Sequence, residues 1–277
     1  MLAQWVLLVS LACLAAGVVL PAAAGRITPV QPLLHATLGL RHGWLMLWAT
    51  IALACAIAAL ILQSDGRAVV LSLARAGLAA SIGLLAWRRR GTTWPAIAAV
   101  ALLLLSQSLL SRSAMLPDWP AHVAVDWLHL VLTSLWLGGV GLLAASAPLV
   151  LAERALVEPF SAALDRFSPL AMFCVLGLGV SGLIQSSLFL GGIEELWTTG
   201  YGRALLAKLA LFAVLIAFGA FHQQAIAPRL RLWRLRAARS DAEQAATLLR
   251  ASLLAEAIVG AALLAAVAVM KGWPVAG

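Results

Sequence analysis

His122, Asp126 and His129 follow one another at spacings of four and three, so a helix carries all three side chains on one face. Two imidazoles and a carboxylate are metal ligands or proton-handling groups. At 1.5 Å rise per residue the two histidines stand roughly 10 Å apart along a straight helix, too far to bind one ion together. Either the chain around Pro117 and Pro120 bends back, or the ligands form successive stations completed by other helices. Imidazole and thioether together suit copper, and Met115 and Met270 fall at the same end of the pattern. Asp126 is then a hard ligand or the acceptor that orients a ligating imidazole. A blander alternative stays open: His122 sits at headgroup level, His129 bonds within the bundle, and Asp126 neutralises Lys208 or Arg75.

Arg75, Lys208 and Glu256 also lie inside apolar stretches. A charge at bilayer depth costs several kcal/mol unless paired, hydrated or snorkelling, so each is a functional candidate. Lys208 lies roughly 7 Å below its end of the helix, within reach of the surface. Glu256 is separated from Lys208 and Arg75 by roughly 10 Å in depth, which argues against a direct pair and makes His222 its nearer partner. A neutral, protonated Glu256 is the alternative. His35 and His42 read as loop histidines, and Glu194, Glu195, Trp197 and Tyr201 as an interfacial belt. Met46 and Met172 fill core space or serve a soft ion on its way out. Cys13, Cys55 and Cys174 sit in apolar runs with no CxxC pair, as small core residues with soft-metal ligation as the minor alternative.

The elements that position these groups follow from composition. Of 277 residues 63% are hydrophobic and 11% charged, against about 25% charged in a soluble domain. The apolar residues come in runs of roughly 18 to 25, the length that spans hydrocarbon. The runs cover 2–22, 44–62, 68–87, 94–111, 122–150, 168–190, 203–222 and 249–270. The expectation is an all-α, polytopic membrane helical bundle of about eight transmembrane helices. It forms a single integral membrane domain over 1–277, with an amino-terminal four-helix half (1–120) and a carboxy-terminal half (121–277). Residues 21–25 resemble a cleavage site, but the absence of a basic segment before the first run favours a retained helix.

The net charge of +8 does not indicate nucleic acid, because the basic residues lie between apolar runs rather than on one face. Alternate loops hold thirteen and four Lys or Arg residues. The richer set is Arg26, Arg41, Arg88, Arg89, Arg90, Arg154, Arg166, Arg229, Arg231, Arg234, Arg236, Arg239 and Arg250; the poorer is Arg67, Arg112, Arg203 and Lys271. The positive-inside bias then places the first set in the cytoplasm and both termini outside. The connector Gln223–Leu248 reads as an Arg-rich anchor for lipid headgroups. Gly138, Gly139, Gly141, Gly177, Gly179 and Gly182 are small residues that let helices approach closely.

Five blocks carry a resemblance. DWLHLVLTSLWLGGVGLL (Asp126–Leu143), RFSPLA (Arg166–Ala171), SGLIQ (Ser181–Gln185), TGYGRALLAKLALF (Thr199–Phe212) and LRASLLAEAIVG (Leu249–Gly260) resemble, in order and spacing, the bacterial copper resistance D (CopD) family. The first four helices resemble that family in hydropathy alone. The resemblance implies an eight-helix inner-membrane protein that handles copper, with entry from periplasm to cytoplasm beside a periplasmic CopC-like carrier. It also implies motif roles for His129, Trp136, Tyr201, Arg203, Lys208 and Glu256. His222 departs from the family, which often has Asn there, so an inner-side ligand role for it would be particular to this chain. No His-rich entrance motif stands in the amino-terminal helix.

The reading that unites these features is a copper permease, not an enzyme. His122, His129 and Met115 capture copper at the outer face with Asp126 assisting, while Arg75, Lys208 and Glu256 support the bundle. Copper, membrane lipid and the CopC-like carrier are its expected partners. No ATPase motif is present. Two alternatives stand beside it: a b-type cytochrome with haem held by histidines of facing helices, and a subunit that delivers copper to a membrane enzyme.

Overall fold

The computed structural model describes residues 2–24, 30–36, 38–62, 66–87, 94–226, 228 and 239–270. Arg26, Arg88, Arg89, Arg90, Lys271 and most of the Arg-rich connector lie outside the described residues, as do the side chains of His35, Arg41 and Met270.

Every apolar run falls on one helix. The helices are α1 (Leu2–Ala24), α2 (Gln31–Ala36), α3 (Leu38–Leu62), α4 (Gly66–Trp87), α5 (Trp94–Leu109), α6 (Trp119–Ala152), α7 (Val157–Phe189), α8 (Glu195–Thr198), α9 (Gly200–Phe221) and α10 (Arg239–Met270). Among the described residues six helices, α3, α4, α6, α7, α9 and α10, are long and apolar enough to cross a membrane. Val6–Leu20 of α1 and Trp94–Leu109 of α5 are shorter apolar helices. The fold is thus an all-α membrane helical bundle.

Helix ends depart from the hydropathy limits for a physical reason. Hydropathy marks the segment that must shed water, whereas a helix continues as long as its backbone bonds are favourable. The 32-residue α10 is about 48 Å long, against roughly 30 Å of hydrocarbon, so its first turns extend beyond the apolar span. By the same logic α3 starts at Leu38 and places His42 inside a helix, not in a loop, and His35 falls within α2.

Two apolar cores run along the bundle. One gathers α1, α3, α4 and α5 around Leu14, Ala52, Ile82 and Leu103; the other gathers α6, α7, α9 and α10 around Trp136, Cys174, Leu215 and Leu253. The halves interlock, because α1 packs against α6 and α10 as well as against α3 and α5. Gly138 makes this possible: a Cβ there would run into the Ala12 carbonyl oxygen, and a Cβ at Gly139 would enter the Phe167 ring of α7. Small residues let backbones meet where lipid supplies no hydrophobic drive between helices. Large side chains such as Ile61, Phe173, Leu183 and Ile258 point outward and are exposed, as a lipid-facing surface requires.

Polar groups inside the bundle find partners across helices. The indole N–H of Trp44 donates to the Cys13 carbonyl (3.0 Å), tying α3 to α1, and that of Trp127 to the Ala101 carbonyl (3.1 Å), tying α6 to α5. Arg75 is buried, and its guanidinium donates to Ser106 Oγ (3.1 Å), the Ser106 carbonyl (3.1 Å) and Gln107 Oε1 (2.6 Å). These bonds go to α5 rather than to Asp126. A buried guanidinium held by neutral acceptors clamps α4 to α5, a structural task.

Gly138→Val is expected to lower the thermal midpoint of the detergent-purified protein by the equivalent of about 1–3 kcal/mol, the usual cost of overpacking. Gly179→Ala, whose added Cβ meets nothing within 4 Å, should leave the midpoint unchanged or raise it, and differential scanning fluorimetry separates the two.

Candidate functional site

The segment that launches α6 is built tightly. A 3-10 turn at Arg112–Met115 follows α5, and Asp118 takes a left-handed backbone (φ 54°) that a short acidic side chain tolerates. Pro120 then stands in the first turn, where a missing N–H costs nothing. This turn brings His122 and Asp126 to the first two turns of α6, both half-buried. Met115 is 80% exposed at the mouth. Asp126 Oδ2 is buried and has no hydrogen-bond partner, the condition of a carboxylate oxygen that awaits a cation or a donor. Among the described residues no three His, Cys, Asp or Glu side chains are close enough to hold one ion. His122, Asp126 and His129 thus form successive positions along α6 rather than one cage.

His129 is held from the neighbouring helix. Its Nδ1 lies 2.8 Å from Ser181 Oγ of α7, and that hydroxyl donates to the Gly177 carbonyl (2.6 Å). When the Ser181 proton is given to the Gly177 carbonyl, the hydroxyl accepts from Nδ1–H and the imidazole lone pair is on Nε2. This is how an outer partner orients a ligating histidine. Gly182 of the same SGLIQ block lies against the ring: a Cβ there would stand 3.6 Å from His129 Cε1.

Trp136 is two turns along α6 from His129 and marks the start of a second, deeper region. Its buried indole meets the edge of Phe212 on α9 (centroids 5.5 Å, 86°). Beyond it α7 and α9 leave a cavity of about 260 Å³, bounded by α6 and α10 and lined by Met172, His222, Gln223 and Glu256 among others. It shares Ser168, Met172, His222 and Gln223 with a second recess of about 450 Å³. Chain order places both at the opposite end of the bundle from the α5–α6 turn, since α6 ends, α7 begins and α9 ends there.

Backbone irregularity shapes this region. α9 widens into a π turn at His222–Ile226, a feature that redirects side chains out of the helical register. Pro169 within α7 cannot donate to the Asp165 carbonyl, which loosens the helix beside the recess. Gln223 of the π turn donates to Ser168 Oγ of α7 (2.7 Å).

His222 faces α10, where Ser252 and Glu256 stand one turn apart. Its Nε2 lies 2.7 Å from Ser252 Oγ, and its Nδ1 lies 3.3 Å from Glu256 Oε2. Glu256 is 3% exposed and His222 7%, so this is a buried pair. Glu256 Oε2 sits at ion-pair distance yet lacks a well-aligned hydrogen bond. Depth arithmetic pointed from Glu256 to His222, and the two meet. Ser252 was missed, although its spacing of four from Glu256 in LRASLLAE is the signal that places both on one face of α10.

The TGYGR block forms a corner. Thr199 Oγ1 caps α9 by accepting from the Gly202 N–H (2.9 Å), and a Cβ at Gly202 would collide with the Glu195 carbonyl oxygen. Tyr201 is buried near the start of α9 with its ring at an angle to that of Phe189 (centroids 6.3 Å). Trp197 and Arg203 are exposed, and Lys208 is half-buried on α9.

The contacts between blocks accord with a comparison of sequences: residues 161–270 match the family model "Copper resistance protein D", CopD. Over this segment, less than half of its length, the chain is similar to the CopD family. The CopD segment contains Ser168, Met172, Ser181, Tyr201, Arg203, Lys208, His222, Ser252 and Glu256, while His122, Asp126, His129 and Trp136 precede it. A similar protein is the copper transport protein CutJ of Bacillus subtilis (strain 168), 30% identical over 124 residues. The match takes in 43% of this chain and 22% of the length of CutJ. No solved structure matches the chain.

Ser181→Ala removes the hydroxyl that orients His129. The expected outcome is a loss of about 0.5–1.5 kcal/mol in stability, together with a shift of the His129 tautomer signals in ¹⁵N NMR of selectively labelled protein.

Proposed function

We propose that this chain is a copper-handling permease of the bacterial inner membrane that moves copper from periplasm to cytoplasm. Eight helices cross the bilayer in this reading, with α1 and α5 completing the six longer spans and both termini in the periplasm. The observation that carries it is His129, placed inside an apolar bundle with its Nδ1 2.8 Å from Ser181 Oγ. An intramembrane imidazole oriented by a hydroxyl of the neighbouring helix is arranged as metal-ligating histidines are. The CopD match and the name of CutJ supply the metal.

Copper is the cargo. Met115 and His122 meet it first at the exposed mouth, Asp126 attracts it with an unpartnered buried oxygen, and His129 receives it about 10 Å further in. Thioether and imidazole favour copper, whereas a carboxylate alone would favour harder ions. A periplasmic carrier of the CopC kind would deliver to this mouth. Lys208 and Arg203 on α9 complete the support of the path without ligating.

Proteoliposomes containing the wild-type chain should take up copper, and His129→Ala should reduce the initial rate at least tenfold while the protein stays folded by circular dichroism. Undiminished flux in that variant would remove the proposed central station. A Soret band in the purified protein would instead favour haem.

Topology has its own test. In a chain whose three native cysteines are replaced, a cysteine at Gly192 should react with a membrane-impermeant maleimide added to spheroplasts, and one at Ala155 only after lysis. The opposite pattern would invert the orientation.

A further inference from the structure

The cavity between α7 and α9 holds a donor set that the outer path does not use. Ser252 Oγ lies 3.1 Å from the Leu249 carbonyl oxygen and 2.7 Å from His222 Nε2. His222 Nδ1 faces Glu256 Oε2 across 3.3 Å. An imidazole nitrogen and a carboxylate oxygen held face to face in a buried wall need a proton or a metal ion between them. Glu256 Oε2 has no hydrogen bond that would answer this need.

The spacing suits an ion. With metal–ligand distances of about 2.0–2.1 Å, donors 3.3 Å apart subtend roughly 105–110° at a shared centre, close to tetrahedral. A third ligand is available from the other wall: Met172 of α7 lines both the cavity and the adjoining recess. A thioether distinguishes this site from one for hard divalent cations and points to copper(I). The cavity, about 260 Å³, has room for an ion and waters.

We propose that His222, Glu256 and Met172 form a second copper(I) site, at the end of the bundle opposite the His122–His129 face. Gln223, bonded to Ser168, ties the π turn to α7 beside the cavity. The inference rests on the copper reading above and adds the exit station that reading lacks.

The test uses full-length protein in detergent carrying His129→Ala, which disables the outer station, titrated with copper(I) against a chromophoric chelator and examined by X-ray absorption. The expected result is one bound copper with a sulfur neighbour. Adding Met172→Leu, a volume-conserving change that keeps the fold, should abolish the sulfur signal and weaken binding at least tenfold. Adding His222→Asn should weaken it further. Retained affinity and sulfur scattering in the Met172→Leu protein, or no bound copper in the His129→Ala protein, would overturn the inner site. Flux into liposomes is measured separately: wild-type flux without this binding discards the inner site alone, and inner binding without flux discards the permease.

Discussion

Hydrocarbon offers no hydrogen bonds, and every polar group drawn into this bundle is therefore answerable to a neighbouring helix. That constraint organises the structure. Arg75 is satisfied by Ser106 and Gln107, His129 by Ser181, and His222 by Ser252. Each bond crosses between helices and sets their register as directly as apolar packing does. Among the described residues, buried side-chain atoms without a hydrogen bond include Trp48 Nε1, Ser108 Oγ and Gln185 Nε2 as well as Asp126 Oδ2 and Glu256 Oε2, and the two carboxylate oxygens are the ones that suit a cation.

The serines do more than satisfy. Ser181 and Ser252 each stand within hydrogen-bond distance of both a carbonyl of their own helix and a histidine of a neighbouring element, and so orient the imidazole rings. The bundle thus presents two oriented imidazoles, one on α6 and one on the π turn after α9, with the Trp136–Phe212 contact beside α6. An aromatic layer between two polar stations suits a path in which an ion is handed on in steps rather than through an open pore.

The fold was largely legible in the sequence because the solvent dictates it: runs of apolar residues long enough to cross lipid leave little choice but helix. Helix ends were less legible, since α10 continues past the apolar span into polar sequence that hydropathy does not register. On the site, spacing placed His122, Asp126 and His129 on one face of α6, and depth paired Glu256 with His222. What spacing could not give was partnership between helices distant in sequence, such as His129 with Ser181. Nor could it give the π turn that aims His222, which depends on tertiary packing rather than on any local signature. Nor did residue type give the burial of Tyr201 against Phe189, which joins α9 to the end of α7.

Silver(I), a redox-inert stand-in for copper(I), makes the path directly visible by anomalous scattering from crystals of the loaded protein. The account predicts a peak within ligand distance of His129 Nε2 and a second in the cavity beside Met172 and His222. Silver bound only elsewhere, with α6 bare, would contradict it.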